Sequence, residues 1–156
     1  MINYFEIFEI KEEFDIDLDL LEEKYHDFQR NFHPDKAGIA EIEKSIALND
    51  GFKVLSDPLL RAAHILKLNG IDVNNDSKAP KVDMAVLQQI MELQEEIMEG
   101  SDEEKARLKS DLKNMLDEAN DNTKGLLSER KFADAAQSLM KARYLKKTLS
   151  DLKKLS

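Results

Sequence analysis

The sequence predicts an all-α protein, and three observations predict it. Apolar residues recur at steps of three and four along most of the chain, the period that keeps them on one face of a helix. Only 5 Gly and 3 Pro punctuate 156 residues, too few for the many tight turns that a sheet protein requires. Charged residues make up 35% of the chain beside 42% hydrophobic, the mixture expected of solvated helix faces around a continuous core. A chain of this length buries roughly 68–70% of its unfolded surface, so it needs no covalent staple.

The first clear element carries Leu18, Leu21, Tyr25, Phe28 and Phe32 on one face and Glu22, Glu23, His26, Asp27 and Arg30 on the other. Pro34 pushes His33 out of the helical region and ends it. A second helix over 39–55 follows, with Leu48, Phe52 and Leu55 in register, so the pair forms an antiparallel hairpin around a short exposed turn. Gly51 costs that helix about 1 kcal/mol relative to Ala unless close packing needs a residue without a side chain. Ser56-Asp57 then caps a short segment that has Pro58 at its first position and reaches Leu68. The turn formers between Asn69 and Pro80 read as a linker, which divides the chain into a hairpin module at 1–70, a linker at 71–82 and a second module at 83–156.

Three longer helices are expected in the second module. One covers about 82–99. The next starts at Ser101, whose spacing to Glu104 fits a capping box, and carries Leu108, Leu112, Met115 and Ala119 as its stripe. The last covers about 130–152, with Phe132, Ala135, Leu139, Ala142 and Leu149 inward. Short connections make these an up-down three-helix bundle.

Charge and composition exclude several functions. The 23 Lys and Arg against 32 Asp and Glu leave a net charge of −9, which argues against nucleic acid or an anionic membrane as partner. With no cysteine, the chain has no disulfide, thiolate metal site or Cys nucleophile. No phosphate-cradling glycine loop is present, and no apolar run approaches the roughly 20 residues that span a bilayer. The start Met1-Ile2-Asn3-Tyr4-Phe5-Glu6 lacks the cationic opening of a signal peptide. An intracellular, soluble protein is therefore expected, and because acidic residues at the start do not suit an organellar transit sequence, the bacterial cytoplasm is favoured over the mitochondrial matrix.

Two features carry chemistry. His33-Pro34-Asp35 offers an imidazole and a carboxylate from a stiffened bend between helices. As a bare tripeptide it is also compatible with an ordinary turn, or with a metal-dependent hydrolase using His26, His33, Asp35 and His64. The helix over 82–99 bears two apolar stripes roughly 120° apart: Val86, Ile90, Leu93 and Ile97, and then Met84, Leu87, Met91 and Met98. One stripe suffices for a bundle. The second, bordered by Gln88, Glu92, Glu95 and Glu99, reads as a docking strip with adaptable methionines, unless it packs inside the protein.

The run from Tyr25 through His33-Pro34-Asp35-Lys36, followed by Leu48-Asn49-Asp50-Gly51-Phe52 and Asp57-Pro58-Leu59-Leu60-Arg61, resembles the J-domain of DnaK-class co-chaperones. Tyr4-Phe5-Glu6-Ile7-Phe8 fits that domain's opening helix. With Leu87-Gln88-Gln89-Ile90-Met91-Glu92 behind the linker, nearly the whole chain is similar to the HscB family of iron–sulfur cluster assembly. The resemblance implies a co-chaperone rather than an enzyme, without catalytic residues, metal or cofactor of its own. It implies that His33, Pro34 and Asp35, assisted by Lys24, Arg30 and Lys36, engage an HscA- or DnaK-type chaperone and stimulate its ATPase. It further implies that Leu87, Gln88, Met91, Glu92, Glu95, Glu99 and Tyr144 bind an IscU-type scaffold protein. Glu22, Glu23 and Asp27 depart from the family's more basic docking helix, so long-range steering is expected to be weak. A passive helical adaptor is the structural alternative.

Overall fold

Caps set the helix ends in the computed structural model, which describes residues 1–31, 38–75 and 81–155. Among these residues there are seven helices and no strand. Helix α1 (Tyr4–Ile7) begins at Asn3, whose side-chain oxygen accepts the Phe5 and Glu6 N–H groups at 3.0 and 3.3 Å. The Tyr4 N–H is left over, and it donates to His64 Nε2 at 3.1 Å. Three of the amides orphaned at that helix start are thus satisfied, one of them from sixty residues away.

Helix α2 (Leu18–Arg30) is capped by Asp17, which accepts the Leu20 N–H at 3.0 Å. Leu21 is fully buried, while Tyr25 and Phe28 are half-buried against the core. Leu18 departs from the expected stripe and stays 48% exposed, because it lies at the edge of the apolar arc in the first helical turn. Phe32, the last member of the expected stripe, lies outside the described residues.

Helix α3 (Ile39–Ser56) turns Leu48, Gly51 and Leu55 inward. Gly51 is where the first helix crosses it: a Cβ there would lie 2.8 Å from Tyr4 Cδ1 and 3.0 Å from Phe8 Cε2. The close-packing exception therefore applies, and the loss of helix propensity is accepted for contact. Tyr25 stacks on Phe52 with centroids 4.3 Å apart, and Phe28 meets Phe8 edge-on at 6.1 Å, offset geometries that favour aromatic pairs.

Helix α4 (Pro58–Leu68) starts as expected, with Asp57 accepting the Leu59 and Leu60 N–H groups at 2.9 and 3.1 Å. It buries Leu59, Arg61, Ala62, Ala63, His64, Ile65 and Leu66, almost its whole circumference. A helix that buries nearly its whole circumference has to be enclosed, and α4 is, between α3 on one side and the last two helices of the chain on the other. One contiguous core therefore runs through both halves of the molecule.

The C-terminal half is a long hairpin of α6 (Asp102–Ser128) and α7 (Phe132–Leu155), with α5 (Met84–Glu99) packed on both. Ser101 caps α6 through the Glu104 N–H at 3.3 Å. The expected stripes are inward: Leu108, Leu112 and Ala119 of α6, and Ala135, Leu139, Ala142 and Leu149 of α7, are buried, with Met115 and Phe132 half-buried. A buried polar cluster fixes the register of this pair. Thr123 Oγ1 lies 2.7 Å from Ser138 Oγ, and both hydroxyls reach the Ala119 carbonyl, at 2.8 and 3.1 Å. Satisfied buried hydroxyls of this kind select one alignment, because any slip would leave them unpaired.

Polar straps join the halves at the rim. Lys124 reaches Asp15 at 2.9 Å and Lys146 reaches Asp57 at 3.4 Å. Arg143 donates to Asn74 Oδ1 at 2.8 Å, and Gln137 donates to the Lys81 carbonyl at 2.6 Å.

Candidate functional site

His33, Pro34, Asp35 and Lys36 lie outside the described residues, so the chaperone-facing candidates that can be placed are Lys24 and Arg30. Lys24 points to the end of α1, where its Nζ donates to the carbonyls of Phe8 and Glu9 at 3.1 and 3.0 Å. Those carbonyls lie at and just past the C-cap of a short helix, where a cation is favoured. Arg30 is exposed and pairs with Asp27 three residues earlier. Both cations thus have partners within the fold. His26 lies beside Glu22 at 3.6 Å on the same solvated face.

His64, a candidate ligand in the metal-site reading, is only 8% exposed and lies against the rings of Tyr4 and Phe5. Burial, followed by the nearby Lys67, holds its pKa below the ordinary value. Its Nε2 accepts the Tyr4 amide, which occupies the lone pair a metal would need. Of the rest of that set, His26 is exposed on α2, and His33 and Asp35 lie outside the described residues.

The clearest surface is on α5. Asp83 caps the helix through the Ala85 N–H, Ile90 and Ile97 are buried, and Val86 and Leu93 are half-buried against the core. The other stripe faces out: Met84, Met91 and Met98 are 80%, 62% and 82% exposed, and Leu87 is half-buried at their margin. Gln88, Glu92, Glu95 and Glu99 are all exposed beside them, together with Glu96, and α5 contains no basic residue. The alternative in which this stripe packs inside the protein is therefore excluded for the three methionines. Tyr144 sits half-buried on α7, one of the two helices that α5 contacts.

Sequence reasoning missed a second exposed stripe. Ile39, Ile42 and Ile46 of α3 are 78%, 48% and 55% exposed, on the side opposite Leu48, Gly51 and Leu55. Their spacing of three and four was legible; that α3 has two opposed apolar faces, only one of them covered, was not.

A helical hairpin module packed on a long-helix bundle is also the architecture of known proteins. The HscB of Vibrio cholerae superposes with a TM-score of 0.82 at 25% identity, covering 99% of this chain and 97% of that one. Human co-chaperone protein HscB gives a TM-score of 0.87 at 28% identity, over 98% and 81% of the respective chains. These likenesses define the class, an all-helical co-chaperone with an N-terminal J-like domain and a C-terminal helical domain. In sequence, a co-chaperone protein HscB homolog of Shewanella woodyi is 36% identical over 168 aligned residues, covering 99% of this chain and 97% of the relative. Residues 82–153 match the family model of the HSCB C-terminal oligomerisation domain. The chain belongs to the HscB family.

Proposed function

We propose that this co-chaperone stimulates the ATPase of an HscA- or DnaK-type chaperone and delivers an IscU-type scaffold to it during iron–sulfur cluster assembly. The chain is read as two docking modules, 1–70 for the chaperone and 83–156 for the scaffold, joined at 71–82, with no catalysis of its own and a place in the bacterial cytoplasm. The observation that carries the reading is the exposed methionine strip of α5. Three large apolar side chains left in water at regular spacing, on a helix already anchored by Ile90 and Ile97, are the mark of a partner site rather than of a core. The rim of Gln88, Glu92, Glu95 and Glu99 suits a scaffold surface with a basic margin, and Tyr144 is assigned to the same patch.

On the chaperone side, His33, Pro34 and Asp35 form the stimulating motif, with Lys36 and Arg30 beside them. Lys24 is shared between docking and holding α1. Because Glu22, Glu23 and Asp27 offset the cations of this helix, binding depends on short-range contacts more than on steering, and its on-rate is expected to vary little with salt. Steady-state ATPase assays of the cognate chaperone test the reading. This protein is expected to accelerate turnover, and His33→Gln or Asp35→Asn to abolish the acceleration with circular dichroism unchanged. Equal turnover with and without the protein would leave a passive adaptor.

A further inference from the structure

We infer that Met84, Met91 and Met98 form an oxidation-sensitive patch, whose conversion to methionine sulfoxide by peroxide or hypochlorous acid switches off scaffold docking. The inference rests on the proposed scaffold role of α5. The three sulfurs lie seven residues apart on a helix of 3.6 residues per turn, so they share one line along the strip. Their side chains are 80%, 62% and 82% exposed, open to a small oxidant. Of the 6 methionines in the chain, Met115 and Met140 are half-buried against the core, and Met1, at the N-terminus, is 81% exposed. The chain also has no cysteine, the residue whose thiolate usually reacts first with two-electron oxidants. Oxidation at sulfur is therefore directed to the strip and to Met1, and of these only the strip lies on α5.

The step balances simply. A thioether lone pair attacks one oxygen of hydrogen peroxide, an S–O bond forms as the O–O bond breaks, and the proton on that oxygen passes to the departing hydroxide, which leaves as water. Sulfur is oxidised by two electrons, and the peroxide is reduced by two. Each event replaces a flexible apolar contact with a polar S=O group. On a surface that binds by burying apolar side chains, that group must be desolvated without a partner. The glutamates of the rim aggravate the loss, because ionised carboxylates offer acceptors and no donor for the sulfoxide oxygen. Methionine sulfoxide reductases reverse the change.

The test treats the full chain with hydrogen peroxide, locates added oxygen by peptide mass spectrometry, and titrates an IscU-type scaffold by calorimetry. Met84, Met91 and Met98 should oxidise ahead of Met115 and Met140. Scaffold affinity should fall by about tenfold or more and return after reductase treatment. A variant combining Met84→Leu, Met91→Leu and Met98→Leu, close in volume and not oxidisable, should show the same scaffold affinity before and after peroxide treatment, whatever that affinity is relative to the parent protein. Undiminished binding by a chain carrying all three sulfoxides overturns the proposal alone, and so does an equal loss in the leucine variant, which would point to Met1, Met115 or Met140. Failure of the untreated chain to bind scaffold overturns the underlying reading, and this proposal with it.

Discussion

Replacing Gly51 by Ala tests the contact that holds the opening helix of the J-like module in place, and Gly125→Ala supplies its control. Both glycines are helical, in α3 and α6. Either substitution gains up to about 1 kcal/mol from helix propensity, less for Gly125 because it lies one turn from its helix end. A Cβ at Gly125 meets nothing within 4 Å, whereas one at Gly51 meets Tyr4 at 2.8 Å and Phe8 at 3.0 Å. Carbon contacts are favourable at about 3.5–4.0 Å, so Tyr4 and Phe8 must retreat by most of an ångström. Phe8 is fully buried and has nowhere to go without moving α1, and overpacking of this kind costs about 1–3 kcal/mol. The net for Gly51→Ala is between neutral and about 2 kcal/mol destabilising. For a chain of this size 1 kcal/mol shifts Tm by about 2–4 °C. Thermal denaturation followed by circular dichroism should show Gly125→Ala unfolding slightly above the parent protein and Gly51→Ala at or below it. If Gly51→Ala raises Tm as much as its control does, α1 does not press on α3 as described.

The two stripes of the C-terminal half predict a second contrast. Leu112→Ala, fully buried, should cost about 2–5 kcal/mol in urea denaturation, while Met91→Ala should stay within about 0.5 kcal/mol of the parent protein. Stability should also depend on His64. Its folded pKa lies below the ordinary value near 6.5, so the unfolded chain binds the extra proton first. The stabilising contribution is complete above that pH and is lost as pH falls toward the folded value. His64→Gln should flatten that part of the urea-midpoint profile between pH 7 and 5, and an identical profile would show that the ring does not titrate with folding. Removing the Lys24 amine in Lys24→Met should destabilise the protein by about 1 kcal/mol through the two lost carbonyl contacts. A variant that loses chaperone stimulation at unchanged stability would instead mark Lys24 as a docking cation only.

The sequence by itself determined the helices and most of their ends. Asp57 and Ser101 each stand where a side-chain oxygen can take an orphaned amide, and such local chemistry is readable from a few neighbouring residues; the caps at Asp17 and Asp83 emerged only with the structure. It also determined which face of α6 and of α7 turns inward, because a single apolar stripe leaves no choice. Where a helix carries more apolar surface than one contact needs, periodicity loses its power, and the tertiary structure decides. That is how Leu18 came to lie outside the buried arc, Ile39, Ile42 and Ile46 on the uncovered side of α3, and Met84, Met91 and Met98 in water, while α4 became enclosed on nearly every side. The roles of His64 and Lys24 were hidden for the same reason: each answers backbone groups of α1, 60 and about 15 residues away in the chain. No local pattern records which distant amide or carbonyl a side chain will meet. That is settled when the helices pack and water is driven from between them.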